Sequence, residues 1–383
     1  MSLVKLSYTE FEGTARHWEI DQATFSDINL IVGKNSSGKS KLMSVFATLT
    51  RLLSGQQQQL PFEPSSFLIE LELNAQVFIY QLVLKEGSVI GEQLTIDGEE
   101  KLVRGDEGAG KIRYEKEGRF LDFQLPLTVL AAVNRLDKIQ HPFLMELHQW
   151  AKGVALYLFG SDFGKSQVMG ITEAEVFFRN PAHPVFDDPN NLVAVYTSAS
   201  SQFGEVFDHA IIADMNALGY SLTDVGSENI QTIINFPIAA LVMFTVEEDL
   251  GFKNPQMHMS QGMFRALALV VHLNICAFSK KKQVILVDDI GEGLDYERAT
   301  AIINLLISKA KTYGLQLIMT SNDRFVMNEV PLEYWSVLKR KGGIVKLFNA
   351  QNASKQFNDF KYLGLNNFDF FASDLFEAEV END

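Results

Sequence analysis

The stretch GKNSSGKS, Gly33 to Ser40, has the spacing G-x-x-x-x-G-K-[ST]. Glycines let a backbone approach an anion with no Cβ in the way. Backbone N–H groups of such a loop, and of the helix it opens, converge on phosphate oxygens. On that chemistry Gly33, Lys34, Asn35, Ser36, Ser37 and Gly38 form a cradle. Lys39 is expected to neutralise β- and γ-phosphates, and the Ser40 hydroxyl to ligate Mg²⁺.

Two further stretches carry chemistry. VILVDDIGEGLD, Val284 to Asp295, is an apolar run ending in paired carboxylates. Asp288 is expected to hold Mg²⁺ through its water shell, and Asp289 stands where a second acid would activate water. Gly291, Gly293, Leu294 and Asp295 read as a turn before the helix YERATAIINLL. The plainer alternative is a strand end whose acids cap that helix. Upstream, HMSQGMFRALAL (His258–Leu269) opens a helix directly after a Ser and a Gly. Ser260 and the N–H groups around Gly262 are expected to form a second anion site; the alternative is an ordinary serine N-cap.

These residues need a frame. Ile28, Leu30, Ile31 and Val32 read as a short buried strand, and Leu42, Val45, Phe46, Leu49 and Leu53 then recur at helical spacing. SGQQQQLPFEPSS (Ser54–Ser66) is a linker. Residues 67–125 alternate apolar and polar between Gly or acidic turns, the pattern of an antiparallel sheet. From 127 to 225 the chain reads as mainly helical, with helices in HPFLMELHQWAKGV and from about Gln202 to Leu218. The last third alternates strands (AALVMFTVEED, QVILVDD, LQLIMTS) with helices, which predicts a parallel sheet with crossovers. The expected division is therefore 1–53, an inserted 54–239, and 240–383. The phenylalanines near the end are expected to pack on the core, with a partner-docking segment as the alternative.

Composition narrows the function. Of 383 residues 46% are hydrophobic, enough for a sizeable core. The net charge of −15 argues against a nucleic-acid coat. SKKKQ (Ser279–Gln283) and LKRKGG (Leu338–Gly343) are the compact basic runs and read as solvated turn lysines, with phosphate readers as the alternative. The histidines and lone Cys276 have no metal-ligand spacing. No apolar run approaches the about 18 residues of a membrane span, and the N-terminus has no signal-peptide layout. One cysteine fits a reducing compartment, so a cytoplasmic location is expected.

The order phosphate loop, SQG, DDIGEGLD, IMTSND resembles ABC-type ATPases, and most closely the soluble SMC/RecF/OLD-like heads. The resemblance covers about residues 1–53 and 240–327. It implies an α/β P-loop NTPase, an ABC-ATPase head with a parallel core sheet, an antiparallel β insertion and a helical insertion. It makes Asp288 the magnesium acid, Asp289 the catalytic-acid position and Asp295 the D-loop aspartate, with Asn322 in place of the switch histidine. Glu292 is a substitute base. The resemblance further implies a head-to-tail homodimer with ATP sandwiched between Lys39, Ser40 and Asp288 of one copy and Ser260 and Gly262 of the other. The glutamine contact (Gln140 or Asn134) and the adenine contact (Trp18 or Arg16, by stacking) stay unassigned. Asp is one methylene shorter than Glu, and Asn carries no proton, so slow turnover is expected. Many stand-alone heads of this kind resemble bacterial anti-phage ATPases acting with a separate effector. The stretch after Asn322 is shorter than the ~100–200 residues of a further domain, so destructive activity would lie in that partner. The alternatives are a DNA repair or maintenance ATPase, and an ATP-locked scaffold.

Overall fold

The computed structural model describes residues 1–162, 164–179, 191–279, 284–360 and 365–377. The basic run at 280–283 and the acidic end at 378–383 lie outside them. β1 (Ser2–Glu10) and β2 (Trp18–Thr24) pair antiparallel. β3 (Ile28–Val32) is buried at every position, as a strand covered on both faces must be. The phosphate loop follows it, then α1 (Lys39–Leu53), which buries Leu42, Phe46, Leu49 and Leu53 on one face.

The alternating segment folds as β4 (Ser65–Leu73), β5 (Gln76–Lys85), β6 (Ser88–Ile96), β7 (Glu99–Arg104), β8 (Ala109–Tyr114) and β9 (Arg119–Gln124). Each pairs antiparallel with the next. Glu86–Gly87 and Asp97–Gly98 turn two of these hairpins with φ of 51° and 71°, and 49° and 82°. Positive φ at both central residues matches the right-handed twist of the flanking strands.

The remaining elements are α2 (Ala131–Asn134), α3 (Pro142–Lys152), β10 (Val154–Leu158), β11 (Met169–Gly170), α4 (Ile171–Arg179), α5 (Leu192–Phe203), α6 (Glu205–Ala217) and β12 (Leu222–Asn229). They continue with α7 (Ile230–Ile233), β13 (Ala240–Glu247), β14 (Lys253–Pro255), α8 (Gln261–Ser279), β15 (Val284–Asp288) and α9 (Tyr296–Tyr313). The chain closes with β16 (Gln316–Ser321), α10 (Arg324–Glu329), β17 (Trp335–Lys341), β18 (Ile344–Asn349), α11 (Ser354–Phe360) and α12 (Asn367–Ala372).

Two compact units result. The first comprises Met1–Val154, Gln283–Leu286 and Ile318–Asp383; the second comprises Ala155–Lys282 and Val287–Leu317. In the first unit the strands run β15-β16-β3-β17-β18-β2-β1-β4-β5-β6-β7-β8-β9. β17 is parallel to β3, β18 parallel to β2, and β17 and β18 form a hairpin. That hairpin was not anticipated: its apolar residues Val337, Val345 and Leu347 are diluted by the LKRKGG turn. The meander is no separate sheet, since β4 pairs with β1. The late phenylalanines pack as expected, with the Phe370 ring 4.8 Å from those of both Phe357 and Phe360.

In the second unit β11, β13 and β12 form a small antiparallel sheet with β14 on β13. This corrects the placing of AALVMFTVEED in a parallel sheet. Its apolar run fits either sheet, and the adjacent β12 captures it by local antiparallel pairing. α8 is a second correction: by length and composition it is apolar enough to cross a bilayer, with mean hydropathy 1.5 over its window. That window is 89% buried inside the protein, so α8 is the core helix of this unit. Its Asn274 donates to Asp214 Oδ2 at 2.6 Å and accepts from Lys309 Nζ at 3.0 Å, tying α6, α8 and α9 together.

Candidate functional site

In the first unit, β3 delivers the loop and α1 receives it. Gly33 has no room for a side chain: a Cβ would stand 2.8 Å from the Leu338 carbonyl and 2.7 Å from Ser37 Oγ. Gly38, with φ 112°, caps α1 in a conformation that L side chains rarely adopt. Ser36 is also left-handed, at φ 62°. The Ser37 amide closes the turn on the Lys34 carbonyl at 3.1 Å. Lys39 is only 6% exposed, and its Nζ donates to the Gly33 carbonyl at 2.9 Å. A lysine folded back on its own loop holds its charge over the concavity. Lys34, Asn35, Ser36 and Ser40 are exposed. The N-terminus of α1 carries no side-chain cap and no acid in its first turn, and the buried Ser37 Oγ has no hydrogen-bond partner among the described residues. Uncapped helix N–H groups, a dipole and a lysine make an anion site.

Asn322 is exposed just past β16, the strand beside β3. The next residue, Asp323, caps α10 by accepting from Phe325 N at 2.7 Å. Trp18 and Arg16, the two options left open for the adenine contact, both already pack against other side chains. Trp18 is 5% exposed with Lys41 Nζ 4.1 Å from its ring, and Arg16 lies over the Phe11 ring at 3.9 Å. Asn134 ends α2, and Gln140 is exposed in the loop before α3.

In the second unit, Asp288 is buried at the end of β15, its carbonyl accepting from Phe159 N at 3.0 Å. Asp289 is half-buried with φ 54°, a left-handed turn that Asp tolerates better than most residues. Its carbonyl accepts from Glu292 N at 3.2 Å. Glu292 is exposed as a residue, but its carboxylate fills the space that a Cβ at Gly160 would need. Ser260 accepts from Met263 N at 3.2 Å, which makes it an N-cap of α8 whatever else it does. Gly262 has no room for a side chain, since a Cβ would stand 2.9 Å from both the Gly293 carbonyl and Leu294 Cδ2. Asp295 caps α9 by accepting from Arg298 N at 3.0 Å. That bond first, and then the Arg298 guanidinium, hold its carboxyl below the usual carboxylate range.

Arg265 is the residue that motif reading quoted without a role. It is 8% exposed and donates to the carbonyls of Gly160 (2.7 Å), Glu292 (2.8 Å) and Ser161 (3.0 Å). One guanidinium thus pins the turn after β15 to the loop after β10 and to the start of α8. The Arg was visible in SQGMFR, but loop 160–161 has no sequence signal of its own.

The chain is similar in fold to the structure described as the SmcHead bound to the C-winged helix domain of ScpA, with 14% identity and TM-score 0.56 over 91% of this chain and 97% of that one. The SMC head domain from Thermotoga maritima aligns at 14% identity and TM-score 0.44, covering 91% and 98%. An Smc head from Pyrococcus furiosus with an extended coiled coil, bound to the C-terminal domain of ScpA, aligns at 15% and 0.47, covering 94% and 99%. The likeness of fold rests on the first of these. Comparison with curated proteins finds none that matches. Residues 28–328, which span the phosphate loop, SQG, the paired acids and Asn322, match the model described as AAA domain, putative AbiEii toxin, Type IV TA system, and the chain belongs to that family.

Proposed function

We propose that this nucleotide-binding, ATPase-type fold binds Mg·ATP, hydrolyses it slowly, and uses the bound state as a switch. The observation that carries the reading is the phosphate loop: a buried Lys39 folded onto the Gly33 carbonyl, beside an uncapped helix N-terminus. Gly33 to Gly38 cradle the phosphates and Lys39 offsets their charge. Among the described residues no three His, Cys, Asp or Glu side chains converge on a metal. Mg²⁺ therefore depends on the phosphates themselves, with the Ser40 hydroxyl and Asp288 as protein groups. Bound magnesium supplies charge neutralisation at the transferring phosphoryl group. Asp289 takes the proton of the attacking water, with Glu292 as substitute and Asn322 as a hydrogen-bond donor that moves no proton. The left-handed backbone at Asp289 and its short carboxyl arm support slow turnover.

Two copies pair head to tail, each offering Ser260, Gly262 and Asp295 to the nucleotide of the other. A separate protein effector reads the state of that dimer, in a setting of antiviral defence; the family description, which names a putative AbiEii toxin of a type IV TA system, accords with a chain that works with a second protein. The SMC head of similar fold is itself bound to a protein domain, which supports a protein partner. The net charge of −15 supports a protein over DNA. The buried single Cys276 accords with a cytoplasmic location.

Single-turnover hydrolysis of ATP, with mass measured in the presence and absence of ATP and Mg²⁺, tests this reading. Slow ADP formation with ATP-dependent doubling of mass is expected. Doubling with no ADP makes the protein an ATP-locked scaffold, and no binding at all sinks the reading.

A further inference from the structure

The last residue of the phosphate loop, Gly38, has no side chain with which to anchor itself, and its φ of 112° favours glycine. Its place is therefore set by what it rests on. A Cβ there would stand 3.4 Å from Trp18 Cζ2 and 3.5 Å from Val345 Cγ2, so the loop is seated on these two side chains. Trp18 and Ile20 lie on one face of β2, and Val345 stands opposite Ile20 in β18. Three residues after Gly38, in the first turn of α1, Lys41 lays its Nζ 4.1 Å from the centre of the same Trp18 ring. Glu10, opposite Trp18 in β1, forms an ion pair with that lysine and accepts from the Tyr8 hydroxyl at 2.9 Å.

We propose that Trp18 is a positioning residue for phosphate binding, a buried strut whose indole supports both residues that flank Lys39 and Ser40. The inference rests on the reading that Gly33–Ser40 binds the phosphates. Gly38 precedes that pair and Lys41 follows it, and both meet one ring. Lys39 Nζ turns back on the Gly33 carbonyl of its own loop and Ser40 is exposed, so the tie from this turn to β2 runs through its two flanks. The placement of Lys41 needs a reason, because a cation in the first turn opposes the helix dipole and α1 has no acid there. The face of Trp18 and the carboxylate of Glu10 supply it. Trp18 is 5% exposed and Lys41 half-buried, so the strut is held inside the fold and latched by a side chain at its surface.

Equilibrium binding of ATP and of inorganic triphosphate to the full chain, with Mg²⁺, separates this inference from its premise. Trp18→Leu should weaken both ligands by the same factor, about tenfold, the scale of one weakened charge-assisted contact. Lys41→Met, which keeps the stem and removes the charge, should weaken both about threefold, the scale of one exposed cation–π contact. Lys41→Arg keeps a cation for both Trp18 and Glu10 and should restore native affinity. The Lys41 pair alters a side chain at the surface and tests the strut even if Trp18→Leu does not fold. A loss for ATP alone in Trp18→Leu would make the indole a base contact and overturn the proposal. So would native affinity in Lys41→Met, or an arginine no better than methionine at that position. If the native protein binds triphosphate and these variants bind it equally well, the strut fails and the phosphate loop stands. If the native protein binds neither ligand, both fall.

Discussion

The phosphate loop and the SQG region are both short glycine-bearing motifs opening a helix, yet their polar groups are used in opposite ways. In the loop they are left open: α1 has no cap, Ser40 is exposed, and Ser37 Oγ has no partner among the described residues. Around SQG they are consumed internally. Ser260 caps α8, Asp295 caps α9, and Arg265 spends its donors on three carbonyls. A buried polar group without a partner costs stability, so an open cradle is retained where a ligand repays it. The SQG region instead resembles a rigid tooth, whose own fold is satisfied before anything meets it.

Removing charge from the open cradle should have the largest effect. Lys39→Ala should abolish single-turnover hydrolysis, with a loss of about 10²-fold or more in ATP affinity if one buried charge–phosphate contact goes. Comparable ATP binding by the variant would break the contrast. At the tooth the order reverses. Arg265→Ala leaves the carbonyls of Gly160, Ser161 and Glu292 without their donor, and should cost about 2–3 kcal/mol by denaturant unfolding. A loss within error would mean that water replaces the guanidinium and the turn is not pinned.

The acid at the turn sharpens the comparison further. Asp289→Glu lengthens the carboxyl arm and should raise turnover about tenfold, a fraction of the 10²–10⁴ that a positioned base supplies. No acceleration would show that arm length does not limit the rate. The smallest effect belongs to Asp295. Its folded pKa lies below that of the unfolded chain, so its contribution is complete above about pH 4 and fades as pH falls through the folded value. Asp295→Asn should therefore flatten the acid limb of the melting temperature against pH. An unchanged limb would mean that the Arg298 bonds do not stabilise α9.

How much of this was legible in advance depends on distance along the chain. The strand, loop and first helix occupy 28–53 and follow from local rules: a buried apolar run, two glycines where φ or space demands them, and helical spacing of Leu42, Phe46 and Leu49. The meander was equally legible, because Asp97–Gly98 and Glu86–Gly87 set their hairpins locally. α5 was not, since Leu192–Phe203 buries a broad apolar face and shows no narrow stripe at helical spacing. Trp18, one of two options left open for the adenine contact, is packed within its own sheet, a burial that no local pattern announced.

The sequence by itself determined that this chain carries a phosphate-binding loop, an acid-terminated strand and a capped helix between them, because each is written in contiguous residues whose backbone preferences agree. Only the tertiary structure decided which distant groups complete them. Arg265 meets carbonyls 104 and 105 positions earlier, and the C-terminal Phe371 comes to a cavity lined by Ser36. Such pairings are chosen by burial and by the satisfaction of buried polar groups across the whole fold, and no local pattern records that choice.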